Sequence, residues 1–441
     1  RAVDAFEGRP VETRDYSGER RPAPLRATKL GIHGEDRPAL DATEARLRTL
    51  RVDGATTLAL AFPPLARAQE ASRLRDRREY GPYEGRIRDP ELLEDVTERL
   101  AGNPLSPSAI ETFAKCPYRF FFQRILRVRA FDEAAERGEV DDLGRGALFH
   151  DAARRVGWER RGVAFQDLKA TEITELSRRH AADALAAWEE ENGYGLGPGI
   201  VRELTQARLA EELEAWLRHE REDRRAFAPA GAEVRFGPRR VGAVEDPVLS
   251  TDDPLVCDTS DGAIALAGRI DFVAVGESGT LLRVTDFKVP RHLTVAGRIQ
   301  TAVNDKGRFV IAGELSQLPV YGLFAAERLA GTRGFPERIR AEYLYVGPLR
   351  AGGPVEILPI GFDVEPRGGL LEGFQQVLST IEEALKAGVF RPRTRSFVSR
   401  EQCAFCDYRP ICGPGHAKRY ERKESDPDPA VVALAALEEI P

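Results

Sequence analysis

Gly268-Arg269-Ile270-Asp271-Phe272 and, after a short glycine-containing stretch, Leu281-Leu282-Arg283-Val284-Thr285-Asp286-Phe287-Lys288 are the two segments on which the reading of this chain turns. Both are rich in residues that suit a pleated, half-buried surface, and the turn between them predicts a hairpin. Alternation along a strand puts Leu282, Val284, Asp286 and Lys288 on one face and Phe287 on the other. A charged pair at the end of so apolar a strand costs desolvation free energy unless something compensates it. In a hairpin Asp271 comes beside Asp286, and a divalent cation relieves the repulsion of two such carboxylates. Oxygen ligands of this kind point to Mg²⁺ or Mn²⁺. Lys288 then stands where it can orient a water and stabilise charge on a phosphate. Taken alone, Asp-x-Lys is common and reads far more readily as a surface salt bridge.

Companions lift the motif above that reading. A helix carries Gly144-Arg145-Gly146-Ala147-Leu148-Phe149-His150 upstream, and Gln317 and Tyr321 stand four apart downstream, on one helix face. Pro319 between them requires that helix to start near Ser316. In this order the residues resemble the PD-(D/E)xK nuclease superfamily, and within it the RecB/AddB-type nuclease domain: a helix histidine (His150), an aspartate closing a "GxxD" strand (Asp271), "DxK" on the next strand (Asp286, Lys288) and a "QxxxY" helix (Gln317, Tyr321). The resemblance covers about residues 105 to 413. It implies an α/β fold with a restriction-endonuclease-like core, a mixed central sheet flanked by helices, and a helical insertion. It implies that His150, Asp271, Asp286 and the Phe287 carbonyl bind the metal, that Lys288 serves the attacking water, and that Gln317 and Tyr321 position the strand or the active-site groups. Val289-Pro290-Arg291 replaces the family's usual turn after the lysine, and Ser316 stands where leucine is favoured, so details of substrate contact differ.

Five cysteines occur, Cys116, Cys257, Cys403, Cys406 and Cys412. An odd count with three packed into ten residues reads as a metal site in a reducing compartment rather than a disulfide framework. Four thiolates, Cys116 with Cys403, Cys406 and Cys412, suit a [4Fe–4S] cluster or a tetrahedral zinc, and spacing does not decide between them. The resemblance does: AddB and its relatives carry one cysteine before the nuclease core and three after it, in this x2/x5 pattern, around a [4Fe–4S] cluster. Such a group closes a loop of nearly the whole domain, which is a structural role. Cys257 has no partner at suitable spacing.

The net charge of −6 argues weakly against a nucleic-acid binder, but its distribution matters more. Residues 115 to 129 hold five basic side chains and no acid, and His416 to Lys423 is also basic. Lys115, Arg119, Arg124, Lys418 and Arg419 are therefore candidate DNA contacts, against the plainer reading of solvated helix faces. No apolar run approaches the roughly 18 residues of a membrane helix, and no secretory signal is visible, which with the cysteines suggests a cytoplasmic protein. The chain opens on Arg1 and contains no methionine, so position 1 is read as an artificial start.

The organisation read from these signals has three parts. Residues 1–100 are a connecting region or the tail of a preceding, helicase-like domain, with a short helix at Asp41–Leu50, a strand at Thr56–Phe62 and a charged helix from about Pro64. Residues 101–424 are the nuclease domain, with a helical insertion at about 160–230, and residues 425–441 are a peripheral tail. Ser106-Pro107 starts a helix, Ser108 and Glu111 fit a capping box, and that helix is expected to run on through Leu126. Strands are expected over Ile264–Val275 and Leu281–Lys288. Trp188 and Trp216 fall at helical spacing and read as core.

The function implied by the resemblance is Mg²⁺-dependent exonucleolytic hydrolysis of DNA, at single-stranded ends during double-strand break repair, beside an AddA-like helicase partner. Three rivals stay open: a stand-alone RecB-like exonuclease, a non-catalytic DNA-end-binding module with a structural iron–sulfur or zinc site, and a zinc-stapled structural protein.

Overall fold

The computed structural model describes residues 63–440, apart from 101–102, 130–139, 194, 198, 240–241, 243, 291–295, 306, 331–337, 349–351, 365–368, 398–401, 405 and 414. The expected helix at Asp41–Leu50 and strand at Thr56–Phe62 lie outside these residues. The chain divides into two compact units, Arg1–Leu74 and Arg75–Pro441. What is described of the first is a helix, α1 (Pro63–Arg75), with a Glu70–Arg73 pair at 3.0 Å one turn apart.

The second unit begins with α2 (Pro90–Leu100) and α3 (Pro107–Lys115). The Ser106 side chain accepts from the N–H of Ala109, and Pro107 fills the first helical position, as its fixed φ suits. The capping box expected at Ser108 and Glu111 does not form: Ser108 is already inside the helix, and Glu111 reaches across the chain instead. Nor does the helix run on to Leu126. Cys116 adopts an extended backbone (φ −163°, ψ 100°), as a residue before proline prefers, and Pro117 opens a separate short turn of helix.

Three longer helices follow: α4 (Asp142–Glu159), α5 (Ala170–Asn192) and α6 (Gly199–Glu222). Helix α4 starts where Asp141 accepts from the N–H of Gly144, and α5 ends where Gly193 takes up φ 70°. Helices α5 and α6 fall within the bounds of the expected insertion, and Trp216 is fully buried core.

The strands are β1 (Ala228–Phe236), β2 (Leu255–Thr259), β3 (Gly262–Leu266), β4 (Gly268–Val275) and β5 (Leu281–Lys288). Helix α7 (Gln317–Phe324), β6 (Arg338–Pro348), β7 (Val355–Val364), α8 (Gly369–Lys386) and α9 (Pro429–Ala435) complete the unit. The single strand expected over Ile264–Val275 is two: the chain breaks at Ala267, and the first piece, β3, pairs with β2 in a small separate hairpin.

The main sheet runs β1-β4-β5-β6-β7, antiparallel at every step except the parallel pair β5–β6. It is a mixed sheet flanked by helices, as expected. Alternation along β5 sends Leu282 and Val284 into one apolar layer, shared with α3, α7 and α8, and Phe287 into another, shared with α4, α5 and α6. In the second layer Trp216 meets Phe149, Phe165, Phe272 and Phe287 at ring-centroid distances of 5.3–6.2 Å. Arg283 of β5 is buried with Glu220 of α6 at 2.6 Å and Glu342 of β6 at 3.4 Å, and lies over the Phe227 ring.

The C-terminal tail is not peripheral. Val431, Leu434, Leu437 and Ile440 are buried in the main core, and the N–H of Ala312 donates to the Ile440 carbonyl. Nor does the boundary at residue 100 mark a break. Buried Lys423 pairs with buried Glu84 at 2.8 Å, and Asp426 accepts from the N–H of Tyr80, so both segments belong to the 75–441 unit. The apolar side chains of the tail carry this packing; its acidic and alanine-rich composition concealed them.

Candidate active site

The site forms where β4 and β5 part. Their ladder runs from Val275↔Leu282 to Phe272↔Thr285 and goes no further. Beyond it the Asp271 carboxylate accepts from the N–H of Phe287 at 2.8 Å, in place of a backbone partner. Gly268, the glycine of the "GxxD" strand, is needed for space: a Cβ there would meet the Phe236 ring at 2.7 Å and the Tyr321 ring at 3.2 Å.

His150 arrives from α4, whose neighbouring Phe149 is anchored in the aromatic layer against Phe287. Its Nδ1 lies 3.4 Å from Asp271 Oδ1. The third member of this group is Glu233 of β1, which the motif reading missed. One ligand atom each from His150, Glu233 and Asp271 lies within 4.8 Å of the others. Glu233 holds φ 58°, a left-handed conformation uncommon for a residue other than glycine. Buried Asp246 holds the kink: its N–H donates to the Glu233 carbonyl and its carboxylate accepts from the N–H groups of Ala232, Val248 and Leu249. The far side of Glu233 meets Arg269 at 2.7 Å.

Asp286 and Lys288 share a face of β5, as alternation requires. The ion pair between Lys288 Nζ and Asp286 Oδ2 is 2.5 Å long. Gln317 bridges the same two groups: its Nε2 donates to Asp286 Oδ1 at 2.9 Å, and its Oε1 accepts from Lys288 at 2.7 Å. Glu111 fixes the start of α7 by accepting from the N–H groups of Ser316 and Gln317 at 3.0 and 3.3 Å. Helix α7 begins at Gln317, so Pro319 falls in its first turn without penalty. Tyr321 is buried behind Gln317 and against Phe236, where it can position groups but not face solvent.

Charge is concentrated here. Burial, then the Asp271 charge, pushes the Glu233 carboxyl up to about 7. Burial raises Asp286 to about 6 although Lys288 opposes it. Burial works against the charged form of His150, but the facing carboxylates outweigh it and lift the imidazole to about 9. Asp271 stays below its usual range despite burial, because His150 stabilises its charge. The donor set, one imidazole and two carboxylates with a third carboxylate adjacent, fits a hard divalent ion. Two cationic groups, Lys288 and Arg154, and the half-exposed Arg269 share with His150 and Glu233 the wall of a cleft of about 810 Å³.

The cysteines are placed less decisively. Cys116, Cys406 and Cys412 pack against one small cluster, Tyr118, Phe122 and Tyr408. Burial, with the neighbouring thiols Cys116 and Cys406, pushes Cys403 up to about 11. The four are not drawn together as ligands of one ion: among the described residues, no three sulfurs meet the 4.8 Å spacing found at His150. Tetrahedral zinc, with sulfurs about 3.8 Å apart, would need them closer. Their segments are joined by other means, since the Gln402 amide donates to the carbonyls of Lys115 and Arg393. Cys257 is buried in the main core.

Of the basic candidates, none lines the carboxylate cleft. Lys115 pairs with Glu111 at 3.2 Å and Arg419 donates to the Cys412 carbonyl. Arg119 is half-buried, and Arg124 and Lys418 are exposed.

Fold and site are those of a nuclease-type α/β domain, and the family comparison agrees: the PD-(D/E)XK nuclease superfamily matches residues 104–413, and the chain belongs to it. Its relatives include an ATP-dependent helicase/deoxyribonuclease polypeptide of Natranaerobius thermophilus, 30% identical over 212 residues, which are 45% of this chain and 16% of that protein. The protein of the same description from Moorella thermoacetica is 28% identical over 289 residues, 63% of this chain and 22% of that protein. The matched part of the chain thus spans 16% to 22% of the length of these relatives. Among the described residues no helix is long and apolar enough to cross a membrane.

Proposed function

We propose that this chain hydrolyses phosphodiester bonds in DNA with the help of one divalent ion held by His150, Glu233 and Asp271. The observation that carries the reading is the convergence of those three groups beside Asp286 and Lys288. A bound Mg²⁺ or Mn²⁺ would supply Lewis acidity towards a phosphoryl oxygen and make water more acidic. Asp286 and the Phe287 carbonyl stand ready as further oxygen donors. Lys288, held by Gln317, keeps an ammonium at the edge of the cleft, where it orients the attacking water and offsets charge developing on the phosphate. Gln317 and Tyr321 fix that geometry from behind.

Likeness to ATP-dependent helicase/deoxyribonuclease subunits supports DNA as the substrate and a helicase as partner; we further infer single-stranded ends during break repair as the setting and an AddA-like helicase as that partner. The four-cysteine pattern belongs to the same reading, as the holder of a [4Fe–4S] cluster. Iron and acid-labile sulfide content in anaerobically purified protein tests it. The expected setting is the cytoplasm.

The test is Mg²⁺-dependent cleavage of end-labelled single-stranded DNA by anaerobically purified protein, with Lys288→Ala beside it. Cleavage by the parent alone supports the reading. Cleavage by both rejects the site assignment, and DNA-end binding without cleavage by either favours a non-catalytic end-binding module.

A further inference from the structure

Helix α7 carries Gln317 at its first position, and its start is poorly served by its own sequence. The first N–H groups of a helix need acceptors from outside it, and a buried start has no bulk water to supply them. Ser316, which precedes the helix, is fully buried and turns its hydroxyl away from it: the group donates to the Gly313 carbonyl at 2.8 Å and caps nothing. The chain leading in is strained as well. Ile311, Ala312 and Gly313 hold φ 42°, 55° and 79°, three successive left-handed residues of which two carry a Cβ. Such a segment keeps its shape only where the surroundings enforce it, so the placing of α7 depends on contacts from elsewhere in the fold.

Glu111 of α3 supplies that contact. Its Oε1 accepts from the N–H groups of both Ser316 and Gln317, at 3.0 and 3.3 Å, and so caps a helix that is remote in the chain. A carboxylate is favoured there, because the start of a helix carries partial positive charge. Its Oε2 meets Lys115, one turn on in α3, at 3.2 Å, so the carboxylate is held from two sides. Helix α3 gives it a fixed base: Ser106 caps the start, and Arg393 donates to the Ala114 carbonyl near the end at 2.8 Å. From Glu111 the line of contact runs through Gln317 to Asp286 and Lys288. Glu111 itself neither lines the carboxylate cleft nor belongs to the group formed by His150, Glu233 and Asp271.

We propose that Glu111 is a positioning residue for cleavage: from outside the metal site it sets where the Gln317 amide stands, and through that amide the ammonium of Lys288. This role rests on the nuclease reading of the site, while the contacts that carry it are present without a metal.

The test compares whole-chain variants for Mg²⁺-dependent cleavage of single-stranded DNA and for Mn²⁺ binding. Glu111→Ala is expected to lower kcat about tenfold or more, as loss of an orienting residue does, with KM and Mn²⁺ affinity changed by less than about twofold. Glu111→Gln, whose amide oxygen still accepts from both N–H groups, should recover most of that rate. Glu111→Ala combined with Gln317→Leu should cut no more slowly than Gln317→Leu alone, because the first residue acts through the second. Losses that multiply would overturn the proposal, and so would an unchanged kcat in Glu111→Ala. Loss of Mn²⁺ binding in that variant would overturn it too, since Glu111 would then support the ligands themselves. Should Glu111→Ala be unfolded at the assay temperature, Glu111→Asp, one methylene shorter and so out of reach of both N–H groups together, takes its place under the same expectations.

A second readout needs no turnover. In protein isotopically labelled at glutamine nitrogen, the Gln317 side-chain amide signal is assigned by its loss in Gln317→Leu. It is expected to move in Glu111→Ala and to return towards its place in Glu111→Gln. A parent that cuts no DNA with Mg²⁺ rejects the nuclease reading, and this signal then decides the positioning role: a shift upholds it and an unmoved signal overturns it. A parent that cuts, with Glu111→Ala cutting equally well, rejects the positioning role alone.

Discussion

Glu233 faces Asp271 across the β1–β4 pair, between the partners Ala232↔Phe272 and Val234↔Ile270. Two carboxylates opposite each other in a sheet destabilise it unless a cation or a proton intervenes. Here both are buried, and one of them is set by a strained backbone. The arrangement is costly to the metal-free fold and useful to a metal-bound one.

Replacing one of these carboxylates should therefore move two quantities in opposite directions. Glu233→Gln removes a ligand and is expected to weaken Mn²⁺ binding by about tenfold to a hundredfold. The same change relieves the repulsion with Asp271, so the metal-free variant should melt no lower than the metal-free parent. Calorimetric titration and thermal melting check the two halves, and a variant that binds Mn²⁺ like the parent rejects Glu233 as a ligand.

The pH dependence of metal binding follows from the same groups. In the metal-free protein Glu233 keeps its proton up to about pH 7 and His150 up to about 9. Both must lose it to ligate, so an incoming ion displaces two protons below about pH 7, one between about 7 and 9, and none above. Apparent Mn²⁺ affinity should rise with pH, most steeply below about 7, and level off above about 9. Affinity that is flat, or falls, over that window contradicts the assignment.

Gln317 ties Asp286 to Lys288 with one amide. Gln317→Leu leaves both charges without that partner while the His150, Glu233 and Asp271 ligands remain. Cleavage should fall by about ten- to a hundredfold with Mn²⁺ affinity preserved, as for other residues that orient a metal site's working groups. Equal losses of binding and turnover would make Gln317 a ligand-side residue instead.

Much of this site was legible because its residues keep an order along the chain. His150, Asp271, Asp286, Lys288, Gln317 and Tyr321 occupy positions fixed by period-2 and period-3.6 spacing, and the structure brings them to one region. Glu233 was not legible. Its place depends on the register of β1 against β4 and on a kink held by Asp246, and neither leaves a local pattern. Glu111 shows the same limit: a capping box is a statement about neighbours three residues apart, and it gave way to a contact with Ser316 and Gln317, about two hundred residues away. The cysteines showed their spacing, but spacing does not say how closely four sulfurs converge. The tail misled through composition, since four apolar side chains suffice to seat it in the core.

Arg283 supplies a test of the scaffold rather than of the chemistry. It is buried among Glu220, Asp223 and Glu342, and it links the helical insertion to the central strand. Arg283→Leu strands those carboxylates without a counter-charge and should cost about 3–5 kcal/mol of stability. Chemical denaturation measures it, and a loss under about 1 kcal/mol would mean that water reaches these groups.

Titrating Mn²⁺ into the metal-free chain and into Asp271→Asn decides whether His150, Glu233 and Asp271 hold one divalent ion. The parent is expected to bind one ion tightly at this site, and the variant to lose that binding while remaining folded. A parent that takes up no Mn²⁺, or a variant that binds it as the parent does, would contradict the account.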